Sequence, residues 1–129
     1  TARQAVRISP RRWGMRDSVA AADHQAVHVA LLAGSVLELA RAVAPPGPDP
    51  VDGRCHRLSQ SVQAVLVELA AAMALADPDP AGACAYTAAA RRHASALESD
   101  ARERNEVVLA DVARACVDDL QRVIDLRQI

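Results

Sequence analysis

The chain has 129 residues, with 51% hydrophobic and 24% charged side chains and a formal net charge of −1. That length holds one domain and buries about two-thirds of its surface on folding, and the balance of charge and hydrophobicity excludes a disordered chain. Phe is absent and Trp and Tyr occur once each, which excludes an aromatic core. It leaves an aliphatic, alanine-rich core in which helices approach closely.

Every basic residue is arginine, and five of them open the chain. Arg3, Arg7, Arg11, Arg12 and Arg16 fall within residues 1–16 with no acid among them, beside Trp13 and the breakers Pro10 and Gly14. A basic leader (1–16) is therefore expected ahead of an acidic helical body (17–129). The leader's arginines can neutralise phosphates, lie against anionic headgroups with Trp13 at the interface, or simply be solvated. Nucleic acid is not expected as a partner, because the acidic body repels a duplex and no helix reads as a basic recognition helix. The start lacks the apolar core and cleavage site of a secretory signal. The chain begins at Thr1 with no methionine, as a processed end or a piece of a longer protein would.

The first helix is expected over 17–44, with Val19, Ala26, Val27, Ala30, Leu31, Leu37 and Ala40 as its buried stripe. His28, Glu38 and Arg41 interrupt its apolar run, so it reads as a buried bundle helix and not as a membrane span. Pro45, Pro46, Pro48 and Pro50 end it and start the next. The second helix is expected over 50–76, capped by Asp49, with Leu58, Val62, Val65, Leu66, Leu69, Met73 and Ala76 on one face. Similar lengths and a short connection predict that these two pair antiparallel.

Asp77-Pro78-Asp79-Pro80 is the next break, with Asp79 as N-cap and Pro80 at the first helical position of a third helix over 80–98. Polar residues crowd between Glu98 and Glu106, and Asp100 with Glu103 has capping-box spacing. A fourth helix over 103–127 follows, with Val108, Val112, Cys116, Leu120 and Val123 facing inward. The fold class is all-α, an antiparallel four-helix bundle. Cys55, Cys84 and Cys116 are odd in number and fall one to a helix, as small core residues do; no disulfide framework is expected.

Chemistry-bearing groupings are few. His24 and His28, four apart on one helical face, have the spacing of a metal or ligand pair, with Asp23 beside them and His56 and His93 elsewhere. The HExxH form is missing, and so is any Glu-x-x-His, so no metal site is assigned and no cofactor is implied. Glu38 and Glu68 would be an acid–base pair only if they faced each other across the core; placement on outer faces is the expectation. The chain holds no nucleophile elbow and no glycine-rich phosphate loop, and it is not expected to be an enzyme.

One run carries a resemblance: His28-Val29-Ala30-Leu31-Leu32-Ala33-Gly34-Ser35-Val36-Leu37-Glu38-Leu39-Ala40-Arg41. It resembles a helix in the soluble part of bacterial fusaric-acid-resistance or aromatic-acid-exporter-like integral membrane proteins, and the likeness covers about a third of the chain. The resemblance implies a cytoplasmic helical domain beside a set of transmembrane helices. Arg3, Arg7, Arg11, Arg12, Trp13 and Arg16 would then be the membrane-proximal flank. The implied partners are the protein's own transmembrane region or the membrane surface, with a homodimer as a further candidate. The competing readings are a small-molecule- or metal-binding bundle using His24 and His28, and a cytosolic adaptor or oligomerisation module.

Overall fold

The computed structural model describes residues 13–44 and 59–128, with side chains from residue 19 onward in the first stretch. Among them are four helices and no strand: α1 (Trp13–Val43), α2 (Gln60–Leu75), α3 (Pro80–Asp100) and α4 (Arg104–Arg127). The all-α bundle is as expected.

Local chemistry sets the ends. α2 starts at Gln60, later than the expected 50, because Ser59 is extended (φ −60°, ψ 154°) and its hydroxyl accepts from the Val62 amide at 3.3 Å. Ser59 is thus a cap and not a mid-helix serine, and Asp49, Pro50 and Leu58 lie outside the described residues. Asp79 caps α3 as predicted, accepting from the Gly82 amide at 3.0 Å with Pro80 in the first turn. The break between α3 and α4 falls at 101–103. Its capping box lies three residues later than expected. Asp100 stays within α3, Glu103 is the cap, and the Glu106 carboxylate accepts from the amides of Arg102 (2.8 Å) and Glu103 (3.4 Å). α1 begins at Trp13, so the helix takes in Trp13 and Arg16 from the expected leader.

α2, α3 and α4 form a close-packed group lined by alanine. Ala72, Ala83, Ala90, Ala94, Ala110 and Ala113 are buried beside Val65, Leu69, Val117, Leu120 and Ile124. Such small side chains let helix axes approach to about 8 Å, the short end of the usual range. α3 and α4 run antiparallel: Thr87 meets Gln121, Arg91 meets Asp118, and Glu98 meets Arg114 at 2.9 Å. Thr87 is buried between them. Its hydroxyl donates to the Cys84 carbonyl at 2.9 Å and lies against the Gln121 carboxamide oxygen, while the Gln121 amide reaches Asp125 at 2.7 Å. Arg127 pairs with Asp77, tying the end of α4 to the turn between α2 and α3.

The expected pairing of the first two helices is not found. α1 runs antiparallel to α4, with Gln25 donating to the Leu126 carbonyl at 3.4 Å and Ser35 donating to the Asp119 carboxylate. Among the described residues α1 comes within packing distance of α4 and of no other helix.

Candidate functional site

The face that α1 turns to α4 is narrow. Leu39 is buried, Leu32, Val36 and Val43 are packed against the core, and Gln25 and Ser35 make the polar contacts. The stripe predicted to be buried points the other way. Of that stripe Val27 is 57% exposed, Leu37 58%, Ala26, Ala30, Leu31 and Ala40 are exposed with them, and Val19 is half-buried. The cause lies in composition: a helix apolar nearly all round has no single face that periodicity can select. Val19–Val43, 25 residues, is also long and apolar enough by length and composition to cross a membrane, which interruption at His28, Glu38 and Arg41 was expected to exclude. Leu39 is the one fully buried residue in that stretch.

The predicted membrane-proximal residues divide. Arg3, Arg7, Arg11 and Arg12 lie outside the described residues, while Trp13 and Arg16 sit in the first turns of α1. His24 and His28 touch edge to face, ring centroids 4.8 Å apart at 81°. His24 is exposed and His28 half-buried. Among the described residues no group of three or more His, Cys, Asp or Glu is placed to hold a metal ion. His93 is on α3, which does not pack on α1, and His56 is outside the described residues. Glu38 is exposed on α1 and Glu68 half-buried on α2, two helices that do not pack together, so the carboxylates do not face each other.

Cys116 is fully buried on α4. Loss of hydration pushes its thiol up to about 11, with the Asp119 carboxylate adding to the effect. Cys84 is a half-buried free thiol on α3, within 3.6 Å of the Gln121 amide, and Cys55 lies outside the described residues. The described residues also line open surface grooves. One, against α3 and α4, is lined by Ala88, Arg91, Arg92, Ser95 and Gln121. Another lies where Ala42 of α1 approaches Glu103, Arg104, Asn105 and Val108. Neither gathers a nucleophile with a base. The outward face of α1, which sequence periodicity located but assigned to the core, is therefore the principal candidate site, an exposed and largely apolar surface.

Comparison with known proteins relates the chain to transport. It is 52% identical over 124 residues to proteins named "Putative arylamide transporter" from Mycobacterium tuberculosis and Mycobacterium bovis. The match takes in 96% of this chain and 33% of each of those proteins, so the chain spans about a third of the length of the curated relatives it matches. No protein-family model matches the chain, and no solved structure matches it. The transporter relation implied by the resemblance thus holds at the level of these relatives, without an assignment to the fusaric-acid-resistance or aromatic-acid-exporter families.

Proposed function

We propose that this chain is a non-enzymatic helical domain of a transporter-like bacterial integral membrane protein. It lies at the cytoplasmic face and serves in assembly or regulation. The observation that carries this reading is the 52% identity, along nearly the whole chain, to one third of proteins named as transporters. The arginine-rich start fits the cytoplasmic flank that the positive-inside rule describes, and Trp13 supplies an interfacial aromatic.

Charge on α4 argues that α1 itself stays outside the bilayer. α1 is tied to α4 along its length, and α4 carries Asp111, Arg114, Asp118, Asp119, Arg122 and Asp125. Threading α1 through hydrocarbon while it holds α4 would carry those charges with it, at several kcal/mol or more in all (roughly 2.5–3.5 for each Asp or Arg at the bilayer centre). Detaching it would expose the core around Leu39.

The test is to read the coding frame on both sides of the chain for apolar stretches of about 20 residues, then express the whole frame. Thiol labelling of Cys84 by a membrane-impermeant maleimide reports its side of the membrane. Fractionation with the membrane and labelling of Cys84 only after permeabilisation of the inner membrane are expected. A frame without such stretches, or a protein recovered in the soluble fraction, would leave a free-standing module instead.

A further inference from the structure

Two imidazoles on α1 stand close enough to share a ligand. His24 and His28 are four residues apart, which puts their side chains on the same face of the helix, one turn above the other. Their rings meet edge to face, centroids 4.8 Å apart. That contact is the one interaction either ring makes among the described residues, so no hydrogen bond there claims their nitrogens. Asp23, the neighbouring carboxylate, is half-buried and already engaged, so it adds no ligand.

The separation of the rings matches a shared ion. Imidazole nitrogen binds a divalent transition metal at about 2.0–2.1 Å, and two such bonds at a tetrahedral angle put the nitrogens about 3.4 Å apart. Each ring centre lies about 1.1–1.2 Å further back along its bond, so the two centres are about 5.2 Å from one another. The observed 4.8 Å is close to that value with the helix as it stands. His24 is exposed, so its ring can turn a nitrogen towards the ion, while His28 is half-buried and the more fixed of the two.

We propose that His24 and His28 chelate one divalent transition-metal ion of the copper, nickel and zinc group. Neutral imidazole is a ligand these ions favour, whereas Mg²⁺ and Ca²⁺ take oxygen. Two protein ligands are half of a tetrahedral set. No third His, Cys, Asp or Glu among the described residues joins them, so water fills the remaining positions. Structural sites are closed by four protein ligands. This one is open, and its ion exchanges with the medium and accepts a ligand from outside. Binding also links two successive turns, which favours helical α1 over the unfolded chain, where nothing holds the two rings together.

Isothermal titration of the untagged 129-residue chain with NiCl₂ measures the site, nickel being the first probe because thiolates favour zinc and copper(I). One ion per chain is expected, with Cu²⁺ bound more tightly than Ni²⁺ and Mg²⁺ not bound. His24→Ala and His28→Ala should each weaken binding at least about tenfold, since either leaves a single imidazole. His56→Ala and His93→Ala should leave it unchanged. At about ten times Kd, nickel should raise the Tm by a few degrees, and H24A and H28A should lose that rise while keeping the helical spectrum. A chain that binds neither Ni²⁺ nor Cu²⁺ up to about 1 mM would overturn the proposal, as would binding that survives H24A or H28A. Half an ion per chain would overturn it in favour of a bridge between two copies.

Discussion

Leu39→Ala and Leu37→Ala, compared side by side, test the orientation of α1. The two residues are neighbours in sequence, equal in chemistry, and on nearly opposite sides of the helix: Leu39 is 4% exposed and Leu37 58%. Truncating leucine to alanine removes three carbons, worth about 2.4 kcal/mol when fully buried. At Leu39 a cavity adds to that, giving a loss of about 3 kcal/mol. At Leu37 under half of the transfer is at stake and solvent fills the gap, so the loss is about 1 kcal/mol or less. Thermal unfolding followed by circular dichroism, at a protein concentration too low for self-association, should show a Tm drop of about 10 °C for L39A and only a few degrees for L37A. Equal drops, or a larger one at Leu37, would mean that α1 is rotated and would refute the α1–α4 contact.

Three further outcomes are expected. Gly34→Ala should stabilise the monomer by about 0.8 kcal/mol, since alanine is the better helix former and the space is open; Gly82→Ala should fail to do so, because its β-carbon would collide with the Asp79 carboxylate that caps α3. Paired denaturant titrations separate the two. Thr87→Val should cost about 1–3 kcal/mol by leaving the Gln121 carboxamide oxygen short of a partner, and a cost near zero would show that water serves it equally well. Alkylation at pH 8 read by mass spectrometry should modify Cys84 in the folded chain and spare Cys116, which reacts only after unfolding. The Cys116 thiol is raised from 9.0 to about 11 in the fold. The stability tied to its neutral form is therefore complete below pH 9 and lost as pH rises towards 11, and a flat urea midpoint in Cys116→Ala across that window, against a falling one in the parent, checks it.

Where punctuation was chemical, the elements were legible in the sequence. Asp79-Pro80 fixed the start of α3, the polar stretch after Glu98 marked the next break, and the stripe Cys116, Leu120, Val123 emerged buried on α4. α4 alternates charge and hydrocarbon clearly enough for one face to be chosen. α1 does not, and for that reason its stripe was assigned to the wrong side and its partner to the wrong helix. Proline in the 45–50 stretch signalled a turn but could not say how far the connection ran, and the Ser59 cap, a three-residue hydroxyl contact, left only a weak trace in the sequence. Val108 shows the same limit within α4. It keeps the periodicity of its helix yet is 50% exposed, in the first turns of α4, where it lines an open groove with Ala42 of α1.

The pairing of the first helix with the last also governs how the molecule is made. Ser35 and Asp119 are 84 positions apart, and Gln25 and Leu126 are 101. A ribosome adding about 5–20 residues per second needs roughly 3–12 s to travel from the end of α1 to the start of α4. For that time α1 has emerged and its partner does not yet exist. Contacts of such long separation also form slowly once both ends are available. The nascent chain therefore passes through a stage in which α2 and α3 can fold on each other while α1 waits, and chaperone capture or early aggregation would act on it then.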